Sequence, residues 1–424
     1  MAGKYPTPTI SQLKDESSLS GYAEGILNPT TEDEAIKMIA DNRDLNITFQ
    51  GTRTGICGGS VPENGIMIGT AFLKWMGEPV EDGEDILVPI GAGVTLDQLS
   101  KPLHKNYKGY IWPPHPTEET ATVGGVCALG SKGLNACYYG DTRKYIAGVH
   151  IIDSEGKLKS ITEPETLDKI VGSEGSEGLI TEVTIRLVPA PEAIWGIVLF
   201  FDDENKAAQC AEEMKGLFDN NSDVFLTANE FMDRESMNIV DDLRKVSEAL
   251  QPVPEFPGDA QAMLFVELSG KESQMMPSLM PIIQCSSKFG SDPDKSWVQN
   301  SEQGLAQLHA VRHAVSEGVN AAISRKHSEE EKIVKLGLDL ARPEDNFPHV
   351  LAKYRKDLQN ISIRSAVFGH VYNNNLHVNL IPASAEEYDS GEELMRKWIQ
   401  EGLDEGAQAF EEHGLGKLKK RLID

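Results

Sequence analysis

Four ionisable residues late in the chain have the types and spacing for metal-assisted proton chemistry. The stretch IRSAVFGHVYNNNLHVNLIP, residues 363–382, reads as two strands around an asparagine turn. Asparagine tolerates positive φ, so Asn373–Asn374 suits a two-residue type I′ loop. Such a loop sets His370 opposite His377 on one face, with Cβ atoms about 5 Å apart. Two imidazoles held that way can share a divalent ion. A plain cross-strand pair of partly exposed histidines fits the same spacing. Glu412-His413-Gly414-Leu415-Gly416 closes a last helical stretch read at 390–412. Its carboxylate could complete a His–His–Glu site and leave the adjoining imidazole free. Equally, Gly414 could cap a helix end and His413 favour its dipole.

The elements that must position these residues follow from patterning. Residues 30–45 read as an amphipathic helix capped by Thr31 or Asp33, and the strand LNITFQ follows. Further strands are expected at GIMIG, DILVPIGAG and GYIWPP, with a helix at TLDQLSKPLHK. A hairpin turns at Asp153–Gly156, and GLITEVTIRLVP ends at Pro189 and Pro191, a natural boundary. Beyond it, IWGIVLFF, ENKAAQCAEEMKGLF, FLTANEFM and QAMLFVEL alternate strand and helix, and 301–331 is helix-rich.

Four glycine-rich loops mark the first half: Gly51-Thr-Arg-Thr-Gly55-Ile-Cys-Gly58-Gly59, Gly91-Ala-Gly93, Gly124-Gly125 and Gly172-Ser-Glu-Gly175-Ser-Glu-Gly178. Backbone N–H groups free of a Cβ can approach a pyrophosphate closely. None of the loops is GxGxxG and none ends in GK[ST], which disfavours a Rossmann NAD site and a P-loop. A strand-turn glycine explains any one loop, but four together point to a large bound nucleotide.

The ordered segments QGTRTGICGGSVP, PPHPTEETATVGG, YYGDTRKYIAGV and VGSEGSEGLITEVTIRLVP resemble the FAD-binding domain of the vanillyl-alcohol-oxidase (PCMH-type) superfamily. The nearest resemblance is to its D-lactate dehydrogenase, glycolate oxidase and D-2-hydroxyglutarate dehydrogenase branch. The resemblance implies an α+β protein. A FAD-binding domain of two α/β subdomains spans 1–191, and an α+β substrate or cap domain with an antiparallel sheet and the metal hairpin spans 192–389. A C-terminal helical segment, 390–424, returns to the flavin. By the same resemblance Gly51, Thr52, Arg53, Thr54, Gly55, Gly58 and Gly59 wrap the FAD pyrophosphate. Pro113, Thr117, Thr122, Gly124 and Gly125 line the isoalloxazine and ribityl side, and Gly175, Gly178 and Ile180 meet the adenine end. Departures from the family pattern are Gln50 for arginine, Arg53 for glycine, His115 for aspartate and Glu177 for an apolar residue. His115 could tether flavin, or be a solvent-facing loop histidine.

FGHVYNNNLHVNL likewise resembles the GHxGDGNLHxN motif of that branch, with Tyr372-Asn373-Asn374 in place of Gly-Asp-Gly, and EEHGLG resembles EHGxG. The family's Asn-Pro-Gly-Lys continuation is not found before Asp424. The resemblance makes His370, His377 and Glu412 ligands of a divalent metal (zinc, iron or manganese) and His413 the general base. It places Asn375 close to the substrate and Arg312, in LHAVRHAV, on its carboxylate, with Lys335 and Arg342 as further cations near KLGLDLARP. The implied reaction is oxidation of a D-2-hydroxy acid, D-lactate or similar, to the 2-oxo acid. Hydride passes to flavin N5 and electrons go on to an electron-transfer flavoprotein, a quinone or an iron–sulfur subunit. A flavin-carrying subunit without chemistry of its own is the alternative.

Composition agrees with this. The 424 residues suffice for two or three domains, and 66 acidic against 40 basic residues give a net charge of −26. A polyanion of phosphates would be repelled, which disfavours nucleic acid as a partner. No run is long and apolar enough to span a membrane, and the first twenty residues lack an apolar core of a signal peptide, so the expected compartment is the cytoplasm. Five cysteines without a CxxC fit a reducing environment.

Overall fold

The computed structural model describes residues 5–114, 116–221, 223–410 and 412–423; His115 lies outside the described residues. Three main sheets organise the chain. A small parallel sheet orders Gly25–Leu27, Ile66–Gly69 and Ile47–Gln50, covered by the helix Glu32–Ala40. Thr31 caps that helix by accepting the Glu34 N–H, and Ala35 and Ile39 bury its apolar face against Ile66 and Ile68. The second sheet is antiparallel and centres on the long strand Leu179–Pro189, flanked by Asp85–Gly91 and Ile146–Ile152. Alternate residues Val183, Ile185 and Leu187 are wholly buried, the period-2 pattern of a strand with one face in a core.

From Ala193 onward a seven-stranded antiparallel sheet takes over. Its order is Trp297–Gln299, Ala193–Phe201, Ala262–Gly270, Val224–Asp233, Arg364–His370, Asn375–Ile381 and Leu336–Gly337. Helices cover both faces, so its central strands are buried throughout: Ala262–Gly270 has no exposed residue. One face carries Phe231, Leu264 and Val266 with the helices Glu204–Met214, Phe347–Leu358 and Ala385–Asp404. The other packs Met232, Met263 and Phe265 against Arg234–Arg244 and the 28-residue helix Glu302–Glu329.

The helix expected at 390–412 runs instead over Ala385–Asp404. Gly406, at φ 80°, turns the chain, and the Ala407 N–H closes back on the Gly402 carbonyl, a helix stop that glycine makes easy. A two-residue strand, Gln408–Ala409, then pairs with Leu340–Ala341, and a final helix covers Gly416–Ile423. Glu412 and His413 therefore sit in a turn between these two elements, not at a helix end. Trp398 anchors the preceding helix: it is fully buried, its Nε1 donates to Asp357 Oδ2 (2.8 Å), and it meets Tyr354 edge-on. Trp398→Ala should cost about 3–5 kcal/mol, read as a lower urea midpoint; an unchanged midpoint would contradict this packing.

Candidate functional site

The histidine hairpin forms in a different register from the one expected. His370 pairs with Asn375 and Phe368 with His377, across the four-residue loop Val371–Asn374. A type I′ turn needs positive φ at both central residues, and only Asn374 has it, at 55°. Three sets of bonds fix the longer loop. The Val371 N–H donates to the Asn229 carbonyl, and the Asn374 N–H to the Val371 carbonyl. The Asn374 amide donates to the carbonyls of Arg342 and Asp345. The slip equals two residues, which preserves the face, so His370 and His377 become diagonal neighbours with ring centroids 5.2 Å apart.

Glu412 completes the cluster. Its Oε2 lies 3.0 Å from His370 Nε2 and 3.3 Å from His377 Nε2, yet all three buried atoms lack a hydrogen-bond partner. Ligands about 2.0–2.2 Å from a tetrahedral ion stand roughly 3.3–3.6 Å from one another. The donor set thus fits a divalent cation. Glu230, buried on the neighbouring strand, accepts from His370 Nδ1 at 2.5 Å, the kind of outer carboxylate that would fix the orientation of a ligating imidazole. Burial disfavours charge on His370, but Glu230 and Glu412 outweigh it and push its pKa up to about 10. Burial also opposes ionisation of Glu412, yet the three imidazoles around it hold its carboxyl well below the usual range. For His377 burial prevails, and its pKa is lowered.

His413 stands beside this cluster, its ring 4.8 Å from that of His377. Its N–H donates to Asp339 Oδ2 (2.9 Å), and its Nδ1 lies 3.4 Å from the same oxygen. Asp339 also accepts from Lys419 Nζ (3.1 Å) and, through Oδ1, from the Asn375 amide (2.8 Å). Burial acts against the Asp339 carboxylate, but Lys419 and His413 keep its pKa well below the ordinary value. Asn375 is thereby fixed beside Asp339 with its Oδ1 unsatisfied, and neither it nor His370 lines the adjoining cavity.

A cavity of about 680 Å³ opens along one side of these residues, lined by Arg312, His377, Glu412, His413 and Lys419. Arg312 is buried, its Nε donating to Glu230 (2.9 Å) and its guanidinium over the Phe368 ring. Arg342 points elsewhere, to Glu405. The opposite wall comes from the glycine-rich segments. Gly51, Thr52, Arg53, Thr54, Gly55, Gly59, Thr117, Thr122, Gly124, Gly125, Gly178 and Ile180 all line it, in a size range that encloses cofactors and their substrates. Gly51 shows why no side chain is tolerated there: a Cβ would meet Thr122 Oγ1 at 2.5 Å. Arg53, at the position where the resembled family has glycine, adopts φ 64°, the left-handed backbone that glycine enters freely. Pro113, Gly58 and Gly175 are not among the lining residues; Pro113 instead accepts a bond from Asn135.

Besides Glu230, three contributors were invisible in the sequence. Asp339 and Lys419 lie 80 positions apart and meet only through the fold. Glu174, inside the fourth glycine-rich loop, accepts from the Leu415 and Gly416 N–H groups (2.6 and 2.9 Å). It ties the first half of the chain to the Glu-His-Gly turn.

The comparisons agree with this architecture. Residues 23–162 match the FAD binding domain, and residues 190–424 match the C-terminal domain of FAD linked oxidases. Glycolate oxidase subunit GlcD of Bacillus subtilis is 24% identical over 416 residues, covering 95% of this chain and 82% of its own. D-lactate dehydrogenase of Anaerostipes hadrus is 26% identical, covering 96% and 84%. The mitochondrial D-2-hydroxyglutarate dehydrogenase of Rattus norvegicus is 25% identical, covering 96% and 73%. A solved structure of alkyldihydroxyacetonephosphate synthase shares the fold, with a TM-score of 0.64 at 15% identity over 95% of this chain and 74% of that one. Among the described residues no helix is long and apolar enough to cross a membrane. A glycine-lined cavity facing a buried polar cluster, with both domain matches in order along one chain, makes this protein a member of the FAD-linked oxidase family.

Proposed function

We propose that the protein is a dehydrogenase that oxidises a D-2-hydroxy acid, D-lactate or a similar acid, to the 2-oxo acid. The observation that carries this reading is the convergence of three partnerless donor atoms, on His370, His377 and Glu412, beside His413 at the cavity wall. FAD would supply the hydride acceptor, and a divalent ion of zinc, iron or manganese the Lewis acid that acidifies the substrate hydroxyl. His413 takes the hydroxyl proton on the ring nitrogen turned away from Asp339, because Asp339 holds the other. Asn375 would act close to the substrate by holding Asp339, and Arg312, at the cavity, would present its fork to the carboxylate. The names of the relatives support a hydroxy-acid substrate. Electrons then leave for an electron-transfer flavoprotein, a quinone or an iron–sulfur subunit. A flavin-carrying subunit without chemistry would have no need of buried imidazole nitrogens left without a hydrogen bond, which are costly to keep. Absence of charged lipid or nucleic-acid partners and residence in the cytoplasm complete the proposal.

The test is anaerobic bleaching of the flavin by D-lactate, glycolate, D-2-hydroxyglutarate and larger 2-hydroxy acids. At least one should bleach it, and no bleaching by any would sink the reading. In the same assay Arg312→Lys keeps the charge but loses the fork. It should lower kcat/KM for the active acid about 10- to 150-fold, the equivalent of about 1.5–3 kcal/mol for a charged hydrogen bond.

A further inference from the structure

Two of the five cysteines meet in the core of the second half. Cys210 lies in the helix Glu204–Met214 and Cys285 in the helix Glu272–Lys288. They are 75 positions apart, yet their Sγ atoms stand 3.8 Å from one another. Ala207 and Ala211 flank Cys210 in the buried core, and Met275 and Ile282 come from the facing helix. Small side chains on one helix permit so close an approach by the other.

The remaining three cysteines are in a different state. Among the described residues Cys57, Cys127 and Cys137 have no second sulfur beside them, and burial pushes their thiols up to about 11, 12 and 12. In the pair, an S–H donated by Cys210 stabilises the Cys285 thiolate and lowers its pKa. Lys288 adds its positive charge, against the opposing effects of burial and Glu213. The same bond pushes the Cys210 thiol up. The thiolate is the nucleophilic form of cysteine. Cys285 keeps 4% of its surface exposed and Cys210 none, which favours an oxidant as small as hydrogen peroxide over a bulky disulfide.

The helix that carries Cys210 also supports the histidine hairpin. Its Ala211 carbonyl accepts from the Asn229 amide (2.9 Å), and Lys215, just past its end, donates through Nζ to Asn374 Oδ1 (2.6 Å). We infer that Cys210 and Cys285 form a peroxide-responsive thiol pair, whose disulfide braces the helix behind that hairpin. The Cys285 thiolate attacks one peroxide oxygen: an S–O bond forms, the O–O bond breaks, and the departing hydroxide takes a proton to become water. Cys210 sulfur then attacks the Cys285 sulfenic acid. The S–S bond forms, the S–O bond breaks, and the second hydroxide leaves with the Cys210 proton as water. Two thiols lose two electrons and the peroxide becomes two waters. The sulfurs close from 3.8 Å to about 2.05 Å.

The test treats the purified full chain with hydrogen peroxide, then counts thiols with a maleimide in urea and maps tryptic peptides by mass. Two of the five thiols should disappear, peptide 207–215 should be joined to peptide 272–288, and dithiothreitol should restore both thiols. Cys210→Ala removes the resolving sulfur, so peroxide should leave a sulfenic acid that dimedone labels at Cys285; Cys285→Ala should leave Cys210 unlabelled. Amide hydrogen exchange over 204–215 should be slower in the oxidised protein than in the reduced one. Five free thiols after peroxide, a different joined pair, or a loss that dithiothreitol does not reverse overturns the thiol pair. A cross-link with unchanged exchange over 204–215 overturns the bracing. None of these readouts needs turnover, so they stand or fall apart from the proposed function.

Discussion

His413→Asn is expected to keep bound FAD and its yellow spectrum while slowing substrate bleaching about 10²- to 10⁴-fold, the usual contribution of a general base. Asparagine is the informative replacement. The His413 N–H that donates to Asp339 belongs to the backbone, and so does the N–H of Glu412 beside it; both survive the substitution. The turn is further pinned by Glu174 through Leu415 and Gly416. Loss of rate with intact FAD and metal content therefore isolates the imidazole. Rapid bleaching in His413→Asn would remove His413 from the role of base. Asp339→Asn provides a graded companion. It would leave the ring without its ionised partner and Lys419 without its counter-charge, so kcat should fall while the KM changes less.

How far the sequence alone reached depends on the range of the interactions involved. The strands and helices of the first half were legible because alternation and caps are local: Thr31 caps the helix it was expected to cap, and Pro189 ends the strand it was expected to end. The face shared by His370 and His377 was also legible, since strand parity survives a slip of two residues. The loop itself was misread, because Asn374 is held by the carbonyls of Arg342 and Asp345 some 30 residues away. The helix Ala385–Asp404 was read as running on to 412 because the Gly406 stop lies inside an otherwise helical polar run. Asp339, Lys419, Glu230 and Glu174 could not have been found by pattern. Each acts through a contact of 70 or more positions, and a lone acidic or basic residue carries no local mark of such a contact. KLGLDLARP did direct attention to the right segment, though to its cations rather than to the aspartate between its two short strands.

Removal of the proposed metal is the second large effect expected. Chelation should abolish bleaching without releasing FAD, and readdition of zinc, iron or manganese should restore it. The expected scale follows from what a bound ion does to a hydroxyl: for water on zinc the pKa falls from 15.7 to about 7, so without the ion the hydroxyl would hold its proton far more tightly. Two variants separate ligand from support. His377→Ala deletes a proposed ligand atom that has no hydrogen bond of its own, and should leave the purified protein without stoichiometric metal and without bleaching at any added metal concentration. Glu230→Gln keeps all three proposed ligands and weakens the outer bond to His370. Its metal affinity should fall about 10- to 100-fold, with activity recovered at high metal. That substitution also removes the partner of Arg312, so a rise in substrate KM should persist after the metal is replenished. Full bleaching by protein shown to be metal-free would refute the ligand assignment of all three residues and leave His413 to be judged on its own variant.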